Sequence, residues 1–82
     1  MTAPTPTQRA VLVAMNESIP MSGREIAGWA FGTTTAQTRG ATFLALAEMI
    51  KRQWVTVDYS DHTALWVRTR SGTEVLAETV TA

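Results

Sequence analysis

The most constraining feature of the chain is a helix start that directly follows a proline. Ser22 and Glu25 have the spacing of a capping box, in which each side chain accepts a hydrogen bond from the other residue's backbone N–H. Met21 and Ile26 stand at the two positions of a hydrophobic staple around that cap. Because Pro20 cannot continue a helix, the pattern predicts two separate helices, one on each side of this proline.

The segment before the proline has the spacing of an amphipathic helix. Val11, Leu12 and Met15 fall on one side, which predicts a helix over residues 7–18. The prolines and small residues of segment 1–6 predict a flexible N-terminal arm.

The second helix should be short, because Gly32 stands where a helix C-terminus is expected. The polar stretch "GTTTAQTRG" follows it. Thr34 and Gln37 form a second capping-box pattern, and Thr38 is an alternative cap. The sequence leaves the start of the third helix open between these two threonines.

The third helix carries an apolar stripe with the spacing of a core-facing side. Its stripe and those of the first two helices together predict one shared core. The predicted core consists of Leu12, Met15, Ile26, Ala27, Phe43, Leu46, Ala47 and Ile50.

Two β-prone runs, "WVTVDY" and "ALWVRT", flank the turn-forming residues "SDHT" and predict a β-hairpin. One alternation places Val55, Val57, Leu65 and Val67 inward, with Trp66 and Arg68 outward. A slip of one residue would reverse the faces. The final run "SGTEVLAETV" predicts a short C-terminal helix.

Composition limits the chemistry that the chain can perform. Its 82 residues predict one domain, and the absence of cysteine excludes disulfides, thiol nucleophiles and cysteine metal sites. One histidine and no carboxylate pair in an apolar context leave no catalytic or metal-binding constellation. We therefore expect no enzyme, no metal and no cofactor. The apolar runs are too short to span a membrane and no targeting segment is visible, so we expect a cytoplasmic protein.

Charge is balanced over the whole chain but not along it. The formal net charge is zero, whereas phosphate binding normally favours an excess of lysine and arginine. Between Ile26 and Ala47 the only charged residue is Arg39. This stretch therefore offers a neutral to slightly positive surface, on which a polyanion would dock weakly.

Three short motifs resemble the DNA-binding core of MarR-type transcriptional regulators. They are "EIA" at 25–27, "LALAEMIKRQWV" at 44–55 and "TRSGTEVLAE" at 69–78, where Thr69 and Gly72 match the family's Leu-Thr-x-x-Gly segment. The resemblance implies an α+β winged helix-turn-helix domain over residues 7–80. Such a domain has a three-helix core, a C-terminal β-hairpin wing and a short final helix.

The chain also departs from the family pattern. Arg68 replaces the family's leucine, and Gln53 replaces a glycine after the third helix. The wing is shorter and lacks the usual Asp-x-Arg stretch, so we do not expect the family's wing contacts to carry over residue by residue. We expect no dimerisation through the long terminal helices that these regulators use, because the 82 residues leave no room for them.

As a DNA reader, the chain would use residues 34–52 as its recognition helix, in a small transcriptional regulator or a phage-type accessory factor. Its partners would be double-stranded DNA and either a second copy or another DNA-bound protein. Arg39 is the strongest candidate, because a guanidinium binds guanine or phosphate bidentately. The predicted DNA-binding residues are Thr35, Gln37, Thr38, Arg39, Thr42, His62, Arg68 and Arg70.

Each of these residues also has a structural explanation, as part of a capped and solvated helix face or as an ordinary surface cation. The alternative function is a winged-helix module that binds proteins and not DNA. Trp29 and Trp66 are its candidate interface residues, because tryptophan is enriched at binding hot spots. Trp54 is expected in the core.

Overall fold

The part of the chain that the structure describes folds into four helices and a three-stranded antiparallel sheet, which confirms the predicted α+β class. The computed structural model describes residues 3–59 and 62–80. Met1 and Thr2 of the predicted arm, and Ser60 and Asp61 of the predicted turn, lie outside the described residues. The elements in chain order are α1 (Pro6–Ala14), β1 (Met21–Ser22), α2 (Gly23–Phe31), α3 (Ala36–Lys51), β2 (Val55–Asp58), β3 (Leu65–Arg68) and α4 (Arg70–Val80).

Helix α1 begins with a capping box that the sequence interpretation assigned to the arm. The Thr5 hydroxyl accepts a hydrogen bond from the backbone N–H of Gln8 at 3.1 Å, and the Gln8 amide oxygen accepts one from the N–H of Thr5 at 3.0 Å. Pro6 occupies the first turn, where its missing N–H is not needed. The helix ends at Ala14, earlier than predicted, and the Asn16 side chain then accepts two backbone N–H groups of the following turn.

Helix α2 begins and ends where the sequence predicts. Ser22 accepts a hydrogen bond from the N–H of Glu25 at 3.2 Å, and the Glu25 carboxylate accepts one from the N–H of Ser22 at 3.0 Å. Met21 and Ile26, at the staple positions, are both buried in the core. Gly32 ends the helix in the left-handed conformation, with φ of 77°, which glycine adopts without steric cost.

Removing this cap should weaken the domain measurably. We expect Ser22→Ala to lower the free energy of unfolding by about 1 kcal/mol, because the N–H of Glu25 loses its acceptor. Urea unfolding followed by tryptophan fluorescence measures the change. Thr33→Ala removes an exposed hydroxyl that caps no helix and serves as the control. Equal stability of the two variants would contradict the role of the cap.

The sheet has the strand order β1-β3-β2, and its short edge strand β1 was not predicted. Trp66 of β3 pairs with Met21 on one side and with Val57 on the other. Directly paired residues share a face of the sheet, so Trp66 faces the core, where it is 7% exposed. Val55 and Val57 face inward as predicted, but the predicted faces of β3 are wrong by one residue, and Leu65 and Val67 lie on the opposite face.

The core-facing side of α3 is also displaced by one residue from the prediction. The buried residues of this helix are Thr42, Ala45, Leu46 and Met49. Phe43 is 46% exposed and Ala47 is exposed, so both were wrongly placed in the core. The ring of Phe43 lies over Gly23 at the start of α2, at a distance that leaves no room for a Cβ atom there.

The predicted core is otherwise correct. Leu12, Met15, Ile26, Ala27 and Leu46 are buried, and Ile50 is half-buried at the edge of the core.

The end of α3 is joined closely to the start of α4. The N–H of Trp54 donates to the carbonyl of Met49 at 3.0 Å, and Gln53 occupies the left-handed region with φ of 63°. The hydroxyl of Thr69 donates to the Gln53 carbonyl at 2.6 Å and accepts the N–H of Gly72 at 3.1 Å, so Thr69 caps α4. Thr69 therefore fixes the position of α4 relative to the exit of α3.

Candidate functional site

The polar stretch between α2 and α3 is largely a helix cap. Thr35 is the N-cap of α3, and its hydroxyl accepts the N–H of Thr38 at 3.2 Å. The hydroxyl of Thr38 donates to the carbonyls of Thr33 at 3.0 Å and Thr35 at 3.1 Å. Neither Thr34 nor Thr38 caps the helix, so both predicted starts were wrong. The hydroxyls of Thr35 and Thr38 are occupied by the turn itself.

Thr42 lies inside the domain and not on the predicted binding face. Its side chain is fully buried, and its hydroxyl donates to the carbonyl of Thr38 one turn earlier at 2.8 Å. This local bond satisfies the polar group, which allows a threonine to occupy a core position. Thr42 is therefore removed from the set of candidate DNA contacts.

Gln37 and Arg39 are the candidate residues that the structure leaves fully available on α3. Both are exposed in the first two turns of the helix. Within residues 3–59 and 62–80, neither side chain has a hydrogen-bond or ion-pair partner. Their donors and acceptors are not needed by the fold, which distinguishes them from the neighbouring threonines.

The side chain of Arg68 is half-buried and hydrogen-bonded within the domain, whereas the sequence predicted an exposed position. Its Nε donates to the hydroxyl of Thr73 at 2.9 Å, and its Nη1 donates to the carbonyl of Leu12 at 2.7 Å. The same threonine hydroxyl donates to the carboxylate of Glu17. Arg68 thus places its positive charge against the C-terminal turn of α1, the favoured end of the helix dipole for a cation. It points into the molecule, contrary to prediction.

Arg70 and His62 are exposed, as a contact to phosphate requires. Arg70 begins α4 and borders a shallow groove that Ile50, Gln53 and Thr56 also line. His62 follows the tip of the β2–β3 connection with φ of 62°. The acidic residue predicted to stand beside it, Asp61, lies outside the described residues.

The three tryptophans have different environments. Trp29 is 78% exposed and, with Val13 at 64%, lines a groove between α1 and α2. Trp66 is buried, not exposed as an interface residue would be, and its indole N–H has no hydrogen-bond partner among the described residues. Trp54 is buried as expected, and the guanidinium of Arg52 lies 5.3 Å from its ring centre.

Two exposed apolar features were missed by the sequence interpretation. Leu44 is 74% exposed on α3, and Val13 is exposed beside Trp29 on α1. Each lies one residue away from a core position in a helical pattern, so only the rotation of the helix decides its burial.

Within the described part of the chain, no group of three or more histidine, cysteine, aspartate or glutamate side chains could hold a metal ion. The same residues include no helix long and apolar enough to cross a membrane. Comparison with protein-family models, curated proteins and solved structures found no match to this chain. The geometry of the surface is therefore the basis for a functional proposal.

Proposed function

We propose that this chain is a winged helix-turn-helix domain that binds DNA sequence-specifically through α3. Support comes from the order of the elements. Helix α2 ends at Phe31, the four residues 32–35 separate it from α3, and the β2–β3 pair follows α3 in the position of a wing. A short turn containing glycine between two helices is the connection typical of this motif.

The observation that carries the proposal is that the side chains of Gln37 and Arg39 are exposed and have no hydrogen-bond or ion-pair partner among the described residues. Both extend from the first turns of α3, where recognition helices contact base edges. Glutamine binds adenine and arginine binds guanine through paired hydrogen bonds in the major groove. An exposed helix face that served solubility alone would favour glutamate and lysine, which stabilise helices better than the threonine and glycine found here.

Zero net charge implies that one copy binds weakly. The contact to phosphates supplies most of the nonspecific affinity of a DNA-binding protein, and this chain has seven basic and seven acidic residues. We therefore propose that it binds as a homodimer or beside a second DNA-bound protein, as a small regulator or phage-type accessory factor. This role would place it in the cytoplasm of a bacterial cell.

The test is selection from a randomised duplex pool at low salt. We expect the wild-type chain to enrich one sequence motif and Arg39→Ala to bind that motif at least about tenfold more weakly, the loss of one bidentate base contact. Arg9→Ala makes the same change of charge on α1 and should retain the preference for this motif, because Arg9 lines the groove beside Trp29 and not the surface of α3. Failure of the wild-type chain to enrich any sequence at the lowest salt would contradict DNA binding.

The exposed Trp29 favours a second candidate, a protein-binding module. An indole exposed by 78% lies with Val13 and Ala14 in a groove that Arg9 also lines, and an exposed tryptophan is a typical anchor for a partner. Under this function, Trp29→Ala would abolish capture of a partner protein while Arg39→Ala would not. Under the DNA-binding function, Trp29→Ala would leave the affinity for the selected duplex nearly unchanged unless the groove forms the dimer contact.

A further inference from the structure

Strand β2 forms one edge of the sheet, and part of its backbone faces away from the rest of the domain. In the strand order β1-β3-β2, β2 pairs with β3 on one side only. The N–H of Thr69 donates to the carbonyl of Trp54, the pair directly before β2 in the same register. Hydrogen-bonded pairs alternate along an antiparallel ladder. The backbone N–H and C=O of Val55 and Val57 therefore face outward from β3.

Val57 is the accessible part of this edge. Val55 is 1% exposed, so neighbouring atoms cover its backbone, whereas Val57 is only partly buried and lies between the exposed Thr56 and Asp58. Within residues 3–59 and 62–80, the outward N–H and C=O of Val57 make no hydrogen bond. Strand β2 also lacks the proline or lysine that commonly protects an edge strand. An extended backbone from another chain would satisfy both groups.

A shallow groove beside this edge places opposite charges at its two ends. The groove lies between the end of α3 and the start of α4, and Gln53, Thr56 and Arg70 are among the residues that line it. Among the described residues lining it, only Arg70 is charged. Arg70 follows Thr69, which bonds to the residue just before β2, so this cation lies at the N-terminal end of the strand. Asp58 is the last residue of β2, at the opposite end.

A second copy of the chain is complementary to this edge. Antiparallel pairing reverses one β2 strand relative to the other, so Asp58 of each copy approaches the end of β2 where Arg70 lies in the other copy. With the two-fold axis at Val57, the outward N–H and C=O of the two Val57 residues bond to each other, and Asp58 lies opposite Thr56 of the second copy. The formal net charge of zero means that two copies carry no overall repulsion.

We propose that the chain forms a symmetric dimer through antiparallel pairing of β2 with β2 of a second copy, which joins two three-stranded sheets into one. This inference rests on the proposed function for its purpose, because it supplies the second copy that strengthens DNA binding. The contact itself needs no DNA. In the dimer the guanidinium of Arg70 faces a carboxylate, which competes with a phosphate contact by this residue.

Val57→Pro tests the backbone contact. Proline removes the outward N–H of residue 57 and no hydrogen bond of the β2–β3 ladder. We expect sedimentation equilibrium without DNA to show a wild-type dimer, and a dissociation constant at least about tenfold higher for the variant, because the dimer loses two hydrogen bonds. Val57→Thr keeps the N–H and nearly the same shape, so it should dimerise like the wild type.

A charge exchange tests the same pairing if the proline variant fails to fold. Asp58→Arg and Arg70→Asp each bring like charges together twice in the symmetric contact, and we expect each to raise the dissociation constant about fivefold. The double variant restores opposite charges and should dimerise within about twofold of the wild type. Glu74→Arg makes the same change of net charge as Asp58→Arg at an exposed position of α4 and should leave dimerisation unchanged.

A wild-type chain that stays monomeric up to about 1 mM, a concentration at which even weak complexes form, would overturn the inference and leave DNA binding by a monomer intact. A dimer that persists unchanged in the proline and charge variants would also overturn it, because the contact would then lie elsewhere, as in the groove beside Trp29. A dimer that responds to the variants as expected but selects no duplex would support the inference and contradict the proposed function.

Discussion

Gly72→Ala is expected to destabilise the domain by about 3 kcal/mol, because position 72 has no space for a side chain. A Cβ atom there would overlap the backbone carbonyl of Trp54 and would lie 2.9 Å from Cγ of Arg68. The carbonyl cannot move away easily. It accepts the N–H of Thr69 at 2.9 Å, and the N–H of Trp54 is bonded to Met49. Helix α4 would have to shift away from the exit of α3.

Gly40→Ala is the matched control for this experiment. Both glycines lie in helices, so both substitutions gain the same helix propensity, and only position 72 meets neighbouring atoms. We expect Gly40→Ala to raise the free energy of unfolding by about 0.5–1 kcal/mol. Urea unfolding of both variants measures the difference. Gly72→Ala as stable as the wild type would mean that α4 does not pack against the Trp54 carbonyl.

Features that depend on local sequence could be predicted. The Ser22 and Glu25 side chains bond to backbone groups three residues away, and Gly32 ends its helix through its own conformation. Such interactions need no information about the rest of the fold. The capping box of Thr5 and Gln8 has the same local pattern, and the prolines on both sides of Thr5 concealed it.

The rotation of α3 could not be decided from spacing alone. Phe43, Leu46 and Ile50 match the helical template, but Thr42, with Ala45, Leu46 and Met49, matches it equally well. The prediction preferred phenylalanine to threonine as a core residue. In the structure Thr42 is buried instead, and its hydroxyl is satisfied by the carbonyl of Thr38. A hydrophobicity pattern does not identify a buried threonine whose hydroxyl bonds to its own helix.

The orientation of β3 depends on distant partners. Strand β1 pairs with β3 across more than forty residues of sequence, and this pairing places Trp66 inward beside Met21. Two residues later, on the same face, Arg68 meets the carbonyl of Leu12 and the hydroxyl of Thr73. The alternation of "ALWVRT" permits both registers, and only these tertiary contacts choose between them.

The candidate site was predicted only in part, because some of its features depend on local sequence and others on tertiary contacts. The exposure of Gln37 and Arg39 follows from their place in the first turns of α3, which the cap determines locally. The burial of Thr42 and the internal hydrogen bonds of the half-buried Arg68 follow from packing against other elements and were not predicted. Exposure makes Gln37 and Arg39 available, and whether they contact DNA stays a prediction for the selection experiment.

Arg68→Ala is expected to lower the free energy of unfolding by about 2 kcal/mol, since hydrogen bonds from a charged donor contribute more than neutral ones. The substitution removes the bonds to Leu12 and Thr73, which connect β3 to α1 and α4. Arg70→Ala makes the same chemical change two residues away on an exposed side chain. We expect it to alter stability by less than about 0.5 kcal/mol.

The same pair of variants separates a structural arginine from a DNA-binding one. If Arg70 contacts a phosphate, Arg70→Ala should reduce the slope of log affinity against log salt by about 1. Arg68→Ala, measured at a temperature where it is fully folded, should keep the wild-type slope because its guanidinium already has protein acceptors. A reduced slope in Arg68→Ala with unchanged stability would show that this side chain leaves Leu12 to reach DNA. That result would return Arg68 to the binding surface and remove it from the network that holds the end of α1.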